Sequence, residues 1–401
     1  MSALPDLITQ PAELKSLVRR VRSAGRLAID TEFVWERTYR PMLGVVQVAT
    51  DDFAVVVDAC ALPSLEPLFP VLRDSTIPVV VHGGGQDLEI MANLMGEPMQ
   101  AVIDTQVEAA FLGYGLQVGL SVLLERLLKV RIRKDQTYTD WTKRPLRPEQ
   151  LSYARNDVLH LLPLHDAMRE ELAQRGRLAW VDEELERLVE PKRYAVPPDE
   201  DRYRSVKSWQ RLRSRDLAVL RAAAAWRERT ARRANVRPGF IVSDVVLTTL
   251  AGRPVTKREE LRGVRGLSKG TIDRHGRGLV EALGEGQDCP EANWPEAPPR
   301  VRRSPMPSGL GALLRATVQT VADREEIASE IIASTKEIES LVTFTGRNGP
   351  NEESGLRVLE GWRRELVGDT LLRVARGDLA VRYDPGRREV VGEPVHRGSR
   401  K

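Results

Sequence analysis

Cysteine is nearly absent from this chain: Cys60 and Cys289 are its only two in 401 residues. They fall in different segments, which argues against a disulfide framework and for a reducing, cytoplasmic compartment. Each reads as a buried small hydrophobe or an inert surface thiol. No apolar run approaches the roughly 20 residues needed to cross a bilayer, so no membrane partner is expected. The N-terminal stretch MSALPDLITQPAELKSLVRRV lacks a basic segment leading into an apolar one, which argues against a secretory signal. A large net charge is missing too, at +4 overall, until the chain is divided. Residues 1–200 carry 23 Lys+Arg against 30 Asp+Glu, residues 201–283 carry 20 against 8, and the remainder 18 against 19. The excess positive charge therefore belongs to one segment, and it reads as an electrostatic footprint for nucleic acid, the bland alternative being a solvated helical surface.

What is present is acidic and regularly spaced. Asp30 and Glu32 in LAIDTEF lie two apart in an apolar run, so a strand there sends both carboxylates to one face, about 6.6 Å apart along it. Asp87 follows in HGGGQDLE, and Tyr153 and Asp157 lie four apart in YARND, on one face of a helical stretch and about 6 Å apart along its axis. Four carboxylates and one phenol can thus be aimed at one point from three elements. Carboxylates crowded this way stay ionised only beside cations. An all-oxygen donor set suits Mg2+ or Mn2+ and not Zn2+, which prefers nitrogen and sulfur.

A chain of 401 residues is long enough for two to four domains, and a hydrophobic content of 41% is enough for real cores. Strands are predicted at Arg26 to Val34, Gly44 to Thr50, Phe53 to Ala59 and Pro78 to His82. Helices are predicted at Leu65 to Leu72, Gln86 to Leu94, Thr105 to Leu112, Leu120 to Leu128 and Arg147 to Arg169, with Pro148 suited to a first helical turn. An antiparallel meander followed by βα units makes residues 1–198 an α/β domain with a mixed sheet. Pro197-Pro198 and the acidic cluster Asp199 to Asp201 mark a linker. Residues 203–286 read as an all-α bundle, residues 287–307 as a second linker, residues 308–383 as a second all-α bundle, and residues 384–401 as a frayed tail.

The three acidic motifs resemble those of the DEDD 3′→5′ exonucleases, in the subgroup with tyrosine in the third motif, and the flanking text resembles the ribonuclease D family. DTEFVWERTYRPMLGVVQVAT, IDTQVEAAFLGYG and TDWTKRPLRPEQLSYARNDVLHLLPLHDAM carry that resemblance. ELRGVRGLSKGTIDRHGRGLVEAL is similar to the helicase and ribonuclease D C-terminal (HRDC) domain, and GWRRELVGDTLLRVARGDLAV to a second copy of it. The resemblance implies a ribonuclease-H-like fold and an exoribonuclease that trims structured RNA such as tRNA precursors, releasing 5′-monophosphates. Asp30, Glu32, Asp87 and Asp157 would then hold two cations that clamp one phosphodiester, and Tyr153 would orient the attacking water. A monomer is expected. A DNA 3′→5′ exonuclease and a catalytically silent RNA-binding scaffold are the competing readings, because the carboxylates themselves do not separate ribose from deoxyribose.

Secondary candidates surround this set. His82 reads as a site neighbour or a structural histidine, and Asp104 as a helix cap or a contact to site water. Lys134, Lys143 and Arg144, with Arg131 and Arg133, are candidates for substrate phosphates; Phe33 and Trp35 are candidates for stacking on the terminal base. HGGG at 82–85 and Gly266-Leu267-Ser268-Lys269-Gly270 imitate an esterase's oxyanion loop and nucleophile elbow. No apolar strand precedes that serine, and no credible Asp-then-His order follows it, with only His275 and His396 available. The glycines serve better as a turn between helices whose N–H groups meet phosphate, with Arg262, Arg265, Lys269 and Arg274 around it. Removing residues 203–401 is expected to weaken RNA binding while sparing hydrolysis of short oligonucleotides.

Overall fold

The computed structural model describes residues 4–132, 139–253, 255–298, 308–345, 355–387 and 389–395. Its first domain is built on a six-stranded sheet in the order β1-β4-β3-β2-β5-β6. β2 (Leu27–Val34), β3 (Met42–Ala49) and β4 (Ala54–Asp58) form the antiparallel meander. β5 (Val79–Val81) and β6 (Val102–Asp104) extend it in parallel beyond β2, and β1 (Leu7–Ile8) runs parallel to β4 at the other edge. The runs VVV and AVVVD are wholly buried, as strands covered by helices on both faces must be. β1 and β6 escape a periodicity argument because two and three residues hold no period.

The helix expected over Arg147 to Arg169 is two helices, Pro148–Leu159 and Leu161–Gln174, hinged at His160 (φ −108, ψ 3). Pro163 has no N–H to give to the carbonyl four residues back, so the first helix ends before it. Leu120 to Leu128 begins as α-helix and ends as a π-turn over Leu124–Leu128. Asp199 to Asp201 is not free linker: Asp199–Ser205 forms 3-10 turns packed on the helix Ser214–Ala234, with Asp199 paired to Arg232 at 2.6 Å.

The second domain packs Ser214–Ala234, Asp244–Ala251 and Lys269–Gln287 around its own core. The third comprises helices Ser308–Glu325, Thr335–Thr345 and Asp369–Ala375 and closes with a hairpin, β7 (Leu379–Asp384) and β8 (Glu389–Pro394). The boundary placed at 384 is therefore corrected. Asp384 accepts the N–H groups of Gly386 (2.9 Å) and Arg387 (3.1 Å), the turn that Asp-Pro-Gly encodes. Among the described residues no helix is long and apolar enough to cross a membrane.

The third domain shares one hydrophobic core with the first. Trp362 stacks on Trp180 at 5.4 Å and meets Phe111 edge-on at 5.0 Å. The Ala328 N–H donates to Ala110 O at 2.8 Å. Cutting at 203 would thus bare Phe111 and Trp180, so that truncation tests folding as much as RNA binding. The second domain touches the first through polar contacts: Tyr39 Oη donates to Glu228 at 3.0 Å, and the Arg237 guanidinium lies 5.3 Å from the centre of the Trp35 ring.

Candidate active site

Strand alternation does what the spacing requires: Asp30 and Glu32 share a face of β2, which is one of the two middle strands of the sheet. Across from them the helix Pro148–Leu159 starts on Pro148 and presents Tyr153 and Asp157. One oxygen each from Asp30, Glu32 and Asp157 lie within 4.8 Å of one another. Asp87 stands beside this trio in the first turn of the helix Gly85–Met95, where the helix dipole favours an anion. Thr31, on the opposite face from Asp30, fixes it by donating its hydroxyl to Asp87 Oδ1. Tyr153 packs against Trp141 with ring centres 6.1 Å apart. Gly44 permits that packing, since a Cβ there would lie 2.5 Å from the Trp141 carbonyl oxygen.

The electrostatics are those of a site awaiting positive charge. Burial, then Asp87, Asp157 and Glu32, hold the Asp30 carboxyl well above its usual range. Burial, Asp157 and Asp87 push Glu32 up to about 8. Asp87 is raised by burial, against the pull of the Thr31 hydroxyl. An all-oxygen donor set under this strain fits hard divalent cations, with Asp30, Glu32 and Asp157 as the converging ligands and Asp87 as their neighbour.

The HGGG loop is structural. Gly83 (φ +64) and Gly84 give their N–H groups to Asp104 at 2.8 and 3.1 Å, and Asp104 also caps the next helix through Gln106 N at 2.9 Å. His82 Nδ1 lies 2.9 Å from Thr105 Oγ1, tying β5 to that same helix. The second serine motif likewise caps a helix: Ser268 accepts from Thr271 N at 3.0 Å after a turn in which Gly266 has φ +96. Arg262, Arg265, Lys269 and Arg274 are all exposed around it.

Other candidates separate. Phe33 follows a bulge in β2 and stays partly exposed, whereas Trp35 is covered by Arg237 of the second domain. Lys143 is exposed on the loop before the Tyr153 helix. Lys134 and Arg133 lie outside the described residues, and Arg131 pairs with Glu125 at 2.8 Å. Arg144 is engaged elsewhere: it grips Asp58 with two bonds of 2.5 and 2.6 Å and reaches Gly44 O at 2.9 Å. Its side chain is 26% exposed and that of Asp58 only 3%. Arg144→Ala is therefore expected to destabilise the fold by about 1–3 kcal/mol, by stranding a buried carboxylate, with no change in the salt dependence of RNA binding. Thermal melts and filter binding against salt check both halves. Sequence reasoning passed over Thr31 and Gln47; Gln47 was discoverable as the one polar residue inside GVVQVA.

A mixed sheet with two carboxylates on a middle strand and others on two flanking helices defines a 3′→5′ exonuclease domain. The 3′-5′ exonuclease family pattern matches residues 5–173, the HRDC domain pattern residues 216–283, and the ribonuclease D C-terminal HRDC pattern residues 311–371. Ribonuclease D of Acidiphilium cryptum is 36% identical over 397 residues, covering 97% of this chain and 98% of that protein. Ribonuclease D of Escherichia coli is 33% identical over 368 residues, covering 91% and 97%. The crystal structure of E. coli RNase D, described as an exoribonuclease involved in structured RNA processing, superposes with a TM-score of 0.82 at 32% identity, covering 92% of this chain and 98% of that one. A protein from Bifidobacterium adolescentis shares the fold at TM-score 0.67 and 21% identity, covering 94% and 98%. The chain belongs to the ribonuclease D family and is a 3′→5′ exoribonuclease.

Proposed function

We propose that the chain removes nucleotides one at a time from the 3′ ends of structured RNA, such as tRNA precursors with extra 3′ residues, using two Mg2+ or Mn2+ ions and releasing nucleoside 5′-monophosphates. The observation that carries this reading is the approach of Asp30, Glu32 and Asp157 to within 4.8 Å, with Asp87 alongside, in a chain of the ribonuclease D family. When bound, the ions supply charge for the attacking and leaving oxygens of an in-line displacement. The remaining work falls to side chains. Tyr153, one helical turn before Asp157, directs its phenol at the water that attacks phosphorus; Thr31 keeps Asp87 aimed at the site. Phe33 would stack on the terminal base, which tolerates any base because every base has a π-face. Lys269, Arg274, Arg262 and Arg265 add phosphate contacts on the second domain, in a chain acting as a cytoplasmic monomer.

The test is a time course on 5′-labelled RNA carrying a hairpin and an unpaired 3′ tail, beside its DNA counterpart, with Mg2+ or Mn2+. The expected result is a descending RNA ladder that halts at the stem, with the DNA strand degraded far more slowly. Equal rates on both strands would favour the DNA-exonuclease reading, and no product with either ion would favour a silent scaffold. Reversing charge at the turn, Lys269→Glu with Arg274→Glu, is expected to weaken RNA affinity about 10-fold or more at 0.1 M salt and to flatten its salt dependence by roughly two phosphate contacts. Affinities measured from 50 to 200 mM salt check this.

A further inference from the structure

Gln47 is wholly buried, yet neither its side-chain oxygen nor its nitrogen has a hydrogen-bond partner among the described residues. Its place in the sheet gives that amide a neighbour. In β3 it stands directly opposite Asp30 of β2 on one side and Val56 of β4 on the other. Residues paired across an antiparallel ladder share a face, with Cβ atoms about 4.5–5.5 Å apart. The next row on that face runs Glu32, Val45, Asp58. Above both rows lies the helix that carries Tyr153 and Asp157, whose Ala154 joins Val45, Val56 and Trp141 in a small apolar cluster that closes over Gln47. An amide sealed into such a place loses its water and needs a replacement partner. Any of Leu, Met or Val would fill the space without that burden, as Val45, Val46 and Val48 do along the same strand.

We infer that Gln47 is a positioning residue for the metal site, its Nε2 donating to the inner carboxylate oxygen of Asp30 so that the outer oxygen is presented to a divalent cation. Rotation about the outer side-chain bonds of Gln47 covers the cross-strand gap, and the backbone N–H of Thr31 already serves Asp30 from its own strand. A ligand carboxylate held by such a donor loses the rotation that lets it leave the cation, and removing outer-shell partners of this kind typically weakens metal affinity or activity 10–100-fold. Gln47 does not touch substrate in this arrangement, and acts through Asp30.

This inference rests on the reading that the carboxylates hold divalent cations, and the experiment separates the two. Gln47→Met keeps the volume and removes the amide; Gln47→Leu does so with a different shape. Each full-length variant and the unaltered chain is titrated with Mn2+, without RNA, following the rise in melting temperature. Both variants are expected to stay folded in EDTA, since each replaces a buried amide by an apolar group of similar volume, yet to need about 10-fold or more Mn2+ for half the rise. With RNA, kcat should fall while KM stays. Variants that match the unaltered chain's Mn2+ midpoint within about two-fold would overturn the inference and leave the metal reading standing. Absence of any Mn2+ response from the unaltered chain would overturn both.

Discussion

Asp30→Asn is expected to lower exonuclease turnover by about 10³-fold or more and, in the same protein, to raise the melting temperature of the metal-free chain. The activity loss follows from removing one of three converging ligands, because charge stabilisation by bound cations contributes several kcal/mol and each 1.36 kcal/mol is a factor of ten. The stability gain has the opposite origin. Burial and the charges of Asp87, Asp157 and Glu32 all penalise an ionised Asp30, and asparagine keeps the shape without the charge. The same balance sets a pH dependence. Glu32 holds its proton up to about 8 in the folded chain, against an ordinary value of 4.5. Between those values the native state binds more protons than the unfolded one, so stability in EDTA declines as pH rises from about 5 to 8. Saturating Mn2+ reverses the slope, because cations bind the deprotonated carboxylates. Melts at pH 5, 6.5 and 8, with EDTA or Mn2+, check both signs; an Asp30→Asn chain that melts below the unaltered one in EDTA would refute the electrostatic account.

The part of this site that was legible in the sequence is the part written in local periodicity. LAIDTEF declares a strand with two carboxylates on one face, and YARND declares a helix with a phenol and a carboxylate one turn apart; the structure places both so. What the sequence hides is pairing at a distance. Arg144 sits in a basic stretch that looks like phosphate-binding surface, but its partner Asp58 is 86 positions away. Trp35 beside the first motif looks available for stacking until the second domain brings Arg237 onto it. Gln47 stands out in GVVQVA as a lone polar residue, but its neighbour is revealed only when strand register sets it opposite Asp30. The tail failed for a different reason, since Asp-Pro-Gly at 384–386 is a local turn signal that compositional reading passed over.

The docking of the third domain is the largest feature that no local pattern announces, and it depends on one buried charge. Arg363 is wholly buried; its guanidinium lies 4.4 Å from the centre of the Trp362 ring, donates to Ile331 O at 3.0 Å, and pairs with Glu184 of the first domain. Glu184 also receives Arg357 at 2.7 Å, with Arg187 at 3.7 Å. Burial alone would raise the Glu184 carboxyl, but the hydrogen bond from Arg363 and the charges of Arg363, Arg357 and Arg187 outweigh it and hold the group below its usual range. Glu184→Ala is therefore expected to cost about 3–5 kcal/mol, because it strands a buried guanidinium. Residues 308–395 should then part from the first domain, exposing Trp362 and Trp180 to water, which red-shifts tryptophan emission and opens the interface to protease. Arg363→Met should cost less, since the apolar stem is kept and Glu184 retains Arg357 and Arg187. Acid should mimic the carboxylate loss: a depressed carboxyl contributes stability above its unfolded value near 4.5 and loses it as pH falls through the lower folded value. If Glu184→Ala shifts the denaturant midpoint by less than the equivalent of about 1 kcal/mol, or costs no more than Arg363→Met, the pair is not what holds the domains together, and the stacked Trp180, Trp362 and Phe111 would carry that role.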